Sequence, residues 1–330
     1  MMDFQPACWL NNGHLQTIYP ALFRRPPALA VRRERLSTPD NDVLDIDYYG
    51  HVWLPLVILL HGLTGSARSQ YIAGLQAALL RSGFSSAALN FRGCGGVCNN
   101  TARCYHSGDT ADLDFLYRTL RSRYPLRPLA AAGFSLGGNV LLKWLGEQGD
   151  NVKLFAAVAV SAPLQLDACA TYLDQGFSRI YRNLLIKDLR RYLAAKEAHL
   201  RRHQLHAEAE KIKALGDLSA IRSFWEYDGQ VVAKLYGFKD AADYYRQSSS
   251  RQYLKSIRIP SLIIQAEDDP FLPASILPDV SELSASVALE VTGGGGHVGF
   301  IGGENPLKPV YWLEQRIPAF LFGQLAACSE

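Results

Sequence analysis

Pro128-Leu-Ala-Ala-Ala-Gly-Phe-Ser-Leu-Gly-Gly-Asn-Val-Leu-Leu-Lys-Trp-Leu145 decides how the chain folds. The apolar run from Pro128 to Ala132 reads as a buried strand. Val140, Leu141, Leu142, Trp144 and Leu145, with Lys143, Glu147 and Gln148 polar, read as a helix. Between them stands Gly133-Phe-Ser-Leu-Gly137, a Gly-x-Ser-x-Gly pattern. A serine in a sharp strand-to-helix turn is forced into a strained backbone conformation that projects its oxygen out of the fold. The glycines on either side let strand and helix approach. A helix starting at Leu136 also aims its N-terminal N–H groups and positive dipole end at the same point, where an anion is stabilised. The pattern alone is weak, because glycine-rich turns often contain serine. Flanked by a strand and a helix it reads as a nucleophile elbow, provided that partner residues exist elsewhere.

Outward from the elbow, buried-strand runs alternate with helical patterns. Arg32 to Gly50 reads as two antiparallel strands joined at Pro39-Asp-Asn-Asp42, and Leu54 to Leu60 as a buried strand ending at His61-Gly-Leu-Thr-Gly-Ser66. A helix is expected from Ser69 to Arg81, a strand from Phe84 to Phe91, a helix from Asp109 to Tyr124 and a strand from Leu154 to Val160. This rhythm argues for a parallel sheet covered on both faces. Residues 1–35 read as an irregular arm packed on the domain, so 1–160 holds the arm and the first part of the core. From Ser161 to Arg258 only helical patterns occur, such as Leu184 to Lys213 and Leu218 to Val232, and 161–258 is expected to be a helical cap over the strands' carboxyl ends. Strands resume at Pro260 to Ala266 and Val287 to Val291, and a helix from about Asn305 to Leu325 completes the core over 259–330.

Serine attacks only when a base takes its proton, and that base needs a carboxylate to fix its tautomer. After Ser135, Glu267-Asp-Asp269 follows the apolar run Leu262-Ile-Ile264, and His297 follows Ala288-Leu-Glu-Val291 and four glycines. The chain order Ser, Asp, His is the one an elbow of this kind uses. Asp269, just before Pro270-Phe-Leu-Pro273, is preferred, with Asp268 and Glu267 as alternatives that read as capping or solvated. Leu63, in His61-Gly-Leu63, lies where its N–H, together with that of Leu136, would hold an oxyanion, and His61 itself reads as structural.

With these residues in place the chain resembles the α/β-hydrolase superfamily, and within it the YheT-like esterases. The resemblance rests on Asn12-Gly-His-Leu-Gln-Thr17, His61-Gly-Leu-Thr-Gly-Ser66, Asn90-Phe-Arg-Gly-Cys94, Tyr105-His-Ser-Gly108, Gly133-Phe-Ser-Leu-Gly-Gly-Asn139, Asp268-Asp-Pro-Phe271 and Gly296-His-Val-Gly-Phe300, which together span most of the chain. It implies a Ser135–Asp269–His297 relay that hydrolyses carboxylic esters, short-chain or monoacylglycerol-like, without a cofactor or metal. The other readings are an acyltransferase or thioesterase on the same triad and a non-catalytic binding protein on a hydrolase scaffold.

Composition fits this reading: 330 residues, 48% hydrophobic and 20% charged, make a globular chain with a large core, and a net charge of +3 gives no case for nucleic acid. With no signal-peptide pattern and no apolar stretch near the roughly 18 residues that span a bilayer, a cytoplasmic protein with reduced cysteines is expected. Cys94, Cys98, Cys104 and His106 crowd one glycine-rich loop, where reduced thiols are preferred over a zinc site because the spacing is not Cys-x-x-Cys. His199, His203 and His206 fall at i, i+4 and i+7, one face of a cap helix, either solvated or metal-binding. The basic run Lys187, Arg190, Arg191, Lys196, Arg201 and Arg202 is either a solvated face or one that docks the cap on anionic lipid. Phe177, Ile180, Tyr181, Leu184, Leu185, Phe224, Trp225 and Tyr236 either line an acyl pocket or form the cap's own core.

Overall fold

The structure, a computed structural model, describes residues 3–328 and begins with helix α1 (Gly13–Phe23) and strands β1 (Arg32–Ser37), β2 (Val43–Tyr49) and β3 (Leu56–Leu60). Then come α2 (Gln70–Arg81), β4 (Ser85–Asn90), α3 (Ala111–Arg123), β5 (Leu129–Phe134), α4 (Leu136–Gln148) and β6 (Ala156–Val160). Six helices follow without a strand: α5 (Leu166–Tyr172), α6 (Ser178–Arg202), α7 (His206–Lys213), α8 (Phe224–Tyr227), α9 (Ala233–Tyr236) and α10 (Ala241–Ser248). The chain then forms β7 (Ser261–Ala266), β8 (Val287–Thr292), the short pair β9 (Ile301–Gly302) and β10 (Val310–Tyr311), and α11 (Leu313–Ala327).

Eight strands make one sheet in the order β1-β2-β4-β3-β5-β6-β7-β8, antiparallel at β1–β2 and β2–β4 and parallel elsewhere. The apolar runs of the central parallel strands β3, β5, β6 and β7 follow from burial on both faces. Along β3, Leu56, Ile58 and Leu60 join one core with Leu116, Leu120, Leu141 and Trp144 of α3 and α4. Val57 and Leu59 point the other way, into a core with Ile72, Leu75, Ile317 and Leu321 of α2 and α11. The helices between β6 and β7 pack around a core of their own, in which Leu193, Leu200, Ala209, Ile212 and Tyr227 meet. Burying one such leucine is worth about 1.5–3 kcal/mol.

Several elements depart from the sequence reading. The arm contains α1, because the Asn12 side chain caps it, accepting the Leu15 N–H at 2.9 Å. Pro20 lies inside that helix and obscured its pattern. The expected helix over 184–213 is two, because Gln204 adopts a positive φ of 60° and the Leu205 N–H turns back to the Leu200 carbonyl. His206 therefore opens α7, and the three-histidine face does not form; only the His199 and His203 rings lie together, 4.4 Å apart. The helix expected from Leu218 begins only at Phe224, behind a Ser223–Glu226 capping box, and the last helix begins at Leu313. Pro270 to Pro273 leads into a single 3₁₀ turn, Ala274–Ile276. The basic run is not one surface. Lys196 is fully buried and its Nζ donates to the Asn99 side-chain oxygen and to the Arg103 carbonyl at 2.6 Å, while Arg201 pairs with Glu197 and Glu210. Among the described residues no helix is long and apolar enough to cross a membrane.

Candidate active site

Strand β5 delivers Ser135 into the turn before α4 with φ 51° and ψ −121°, the strained geometry expected of an elbow. The turn is closed by the Ser135 N–H on the Val160 carbonyl at 2.8 Å and by the Gly138 N–H on the Ser135 carbonyl at 2.9 Å. Its glycines are required: a Cβ on Gly133 would lie 2.3 Å from the Gly137 oxygen, and one on Gly137 would lie 2.5 Å from the His61 oxygen. Strand, turn and helix fit only without those side chains.

The loops after β7 and β8 bring Asp269 and His297 to the serine. His297 Nε2 lies 2.8 Å from Ser135 Oγ, and Nδ1 lies 2.8 Å from Asp269 Oδ2 and 3.1 Å from Oδ1. Asp269 is 1% exposed, and its Oδ1 also accepts the Phe271 N–H at 2.8 Å. Asp268 points elsewhere, accepting the Gly296 N–H at 2.8 Å, which shapes the histidine loop rather than the imidazole. Burial pushes the Asp268 carboxyl above the usual range.

The sequence reading missed what holds His297. Thr17 on α1 accepts the His297 N–H at Oγ1 (2.8 Å), the Gln16 amide bridges Leu10 and Ile301, and the Ser161 hydroxyl accepts the Val298 N–H at 3.1 Å. Phe271 stacks on the imidazole with ring centres 4.1 Å apart. Asn139, fully buried, donates to the carbonyls of Ser107 (2.7 Å) and Ser248 (2.8 Å), tying α4 to the end of α10. The Asn12 to Thr17 and Gly138-Asn139 motifs were the available signals, and their role appears only in three dimensions.

In the turn after β3, hydrogen bonds account for every N–H from Gly62 to Ala67 except one. Gly62 donates to Tyr71, Thr64 to Tyr105, Gly65 to the Gly62 carbonyl, Ser66 to Ser69 and Ala67 to Asn90. Leu63 N–H has no partner among the described residues, and both Leu63 and Leu136 line the cavity that holds Ser135 and His297. His61 is structural: Nδ1 donates to the Gly62 carbonyl at 2.7 Å and Nε2 accepts the Phe91 N–H at 3.1 Å. Burial pushes its pKa down to about 4, so it stays neutral.

The cavity, about 260 Å³, continues from the serine between α1 and the helices inserted after β6, past Pro20, Leu166, Leu173, Leu185 and Phe224. Of the aromatic and apolar residues weighed in the sequence, Leu185 and Phe224 line it. Tyr181, Trp225 and Tyr236 pack in the insertion's core, and Phe177, Ile180 and Leu184 are exposed. The cysteine loop forms no metal cluster among the described residues. Burial pushes the Cys94 thiol up to about 12 and the His106 imidazole down to about 3, the latter packed edge-on against Tyr236 and Tyr244.

A family model described as the alpha/beta hydrolase fold matches residues 55–304. The chain belongs to the α/β-hydrolase family. This hydrolase is 39% identical over 331 residues to the Escherichia coli (strain K12) protein named "Putative esterase YheT", covering 99% of this chain and 95% of that one. It is 29% identical over 314 residues to phospholipase ABHD3 of Mus musculus, covering 92% and 74%. Among solved structures, the Pyrococcus furiosus esterase Pf2001 matches 89% of this chain and 92% of its own with a TM-score of 0.55 at 19% identity, which shows a shared fold.

Proposed function

We propose that this hydrolase cleaves carboxylic esters through an acyl-enzyme on Ser135, with short-chain or monoacylglycerol-like esters as substrates. The coarser class, an esterase or lipase, is the one its named relatives share. The observation that carries the finer reading is the continuous relay from Ser135 Oγ through His297 to Asp269, set at a mostly apolar cavity. As Oγ attacks the acyl carbon, His297 Nε2 takes its proton and Asp269 holds the imidazolium. The carbonyl oxygen, now negative, is met by the N–H groups of Leu63 and Leu136, each such donor being worth about 10²–10³ in turnover. When the C–O bond breaks, His297 returns the proton to the leaving alcohol. Water then gives a proton to His297 while its oxygen attacks the acyl-enzyme, and the acid leaves as Oγ recovers the proton.

Hydrolysis of 4-nitrophenyl esters from acetate to palmitate, wild type beside Ser135→Ala, tests this. Activity should peak at one chain length and fall about 10⁴-fold or more in the variant. Equal rates in the two proteins would refute it.

A further inference from the structure

Among the polar side chains that line the cavity reaching Ser135, Asp228 is an acidic one with no hydrogen bond to the relay. Asp228 begins a π turn, Asp228–Val232, between α8 and α9. Such a turn widens the helix by one residue and breaks the regular placement of side chains, commonly where a helix meets a ligand. Asp228 is 8% exposed and lines the cavity together with Phe224, Tyr244 and Tyr245. Its Oδ2 accepts the Tyr245 hydroxyl at 2.6 Å, and its Oδ1 accepts nothing from any described residue. No described basic side chain forms an ion pair with it, and the charge is opposed only by burial.

The carboxyl makes one hydrogen bond to the protein, and its Oδ1 opens to the cavity rather than being sealed off, so a group bound there can complete it. The Tyr245 bond fixes the carboxyl and leaves the second oxygen open. Burial pushes its pKa up to about 7, so near neutral pH both protonation states are present. A hydroxyl satisfies either state, donating to the carboxylate or accepting from the acid, whereas an ammonium satisfies only the carboxylate.

We propose that Asp228, held by Tyr245, is a recognition subsite for a hydroxyl that the ester substrate carries away from its scissile carbonyl. The inference rests on the esterase reading and narrows it to hydroxyl-bearing esters. A site built to bond a hydroxyl discriminates strongly against an analogue that lacks it, because its own polar group is then left unpaired.

Two matched pairs of esters test the subsite, one on each side of the scissile bond: 4-nitrophenyl 6-hydroxyhexanoate against 4-nitrophenyl heptanoate, and 3-hydroxypropyl hexanoate against butyl hexanoate. The readout is the ratio of kcat/KM within each pair, for wild type and Asp228→Leu. In wild type at least one pair should favour the hydroxyl ester by about tenfold or more, and Asp228→Leu should erase that preference. If leucine prevents folding, judged by thermal melting, Asp228→Ala gives the same comparison. Methyl-terminated analogues turned over as well as the hydroxyl esters in both pairs would overturn the proposal, as would a preference that survives the substitution. A wild-type preference for the matched aminoalkyl ester over the hydroxyl ester would also overturn it. Wild type that hydrolyses none of the esters would refute the esterase reading and the subsite with it, whereas hydrolysis without preference would refute the subsite alone.

Discussion

Asp268 and Asp269 are adjacent, and replacing each by asparagine separates a relay carboxylate from a loop-shaping one. In Asp269→Asn the amide orientation is dictated by the surroundings. The position of Oδ1 receives the Phe271 N–H at 2.8 Å, so the asparagine oxygen must sit there. The amide NH₂ then falls where Oδ2 stood, 2.8 Å from His297 Nδ1. Nδ1 can no longer donate in that direction and must accept, so the ring proton moves to Nε2, the nitrogen facing Ser135 Oγ. That tautomer cannot take the serine proton. The expected loss is about 10⁴-fold in kcat, the scale of tautomer inversion in triads, or about 5 kcal/mol of barrier. In Asp268→Asn the new side-chain oxygen still accepts the Gly296 N–H, so the loss should stay below about tenfold. Rates with 4-nitrophenyl butyrate, alongside thermal melts that show both variants folded, measure the contrast. Asp269→Asn retaining a tenth of wild-type activity, or Asp268→Asn showing the larger loss, would refute the assignment.

Three further outcomes follow from the same contacts. Arg92, 2% exposed, bonds Asp40, Asp42 and Asp112, so Arg92→Met leaves buried carboxylates short of a partner; it should cost about 3–5 kcal/mol, read as a melting point about 4–7 °C lower. Thr17→Val removes the acceptor of the His297 N–H and should lower kcat about tenfold to a hundredfold while Ser135 remains present, a loss read from initial rates on the same ester. Buried His61 and His106 have pKa values pushed down to about 4 and 3, so each gains a proton on unfolding, and the stability they contribute is lost as pH falls from about 6.5. Asp228, pushed up to about 7, has the opposite sign and offsets part of that loss. Asp228→Asn should therefore steepen the fall in melting temperature between pH 7 and 5, and an unchanged slope would show that the carboxyl takes up no proton there.

The central strands were legible because they are buried on both faces, so apolar runs such as Leu56-Val-Ile-Leu-Leu60 mark them without reference to neighbours. The elbow was legible because strain and close packing demand glycine at Gly133 and Gly137. Asp269 and His297 stood out as candidates because each follows a recognisable strand. Choosing between Asp268 and Asp269 needed the loop's actual course. Helix α1 was not legible: it carries Pro20 in its second half, and it is held in place by the His297 loop. The break at Gln204 and the π turn at Asp228 were hidden for the same reason, since local pattern favours continuing a helix and only tertiary packing interrupts it. Lys196 shows the converse, a residue read as surface charge that the fold buries against Asn99 and Arg103.

The most direct test of an acyl-enzyme on Ser135 is to treat the folded protein with one equivalent of an alkyl fluorophosphonate and locate the adduct by peptide mass spectrometry. The expected result is a single phosphonylated residue, Ser135, with ester hydrolysis lost in proportion to labelling. Folded protein that stays unlabelled, or that is labelled elsewhere while hydrolysis persists, would contradict it.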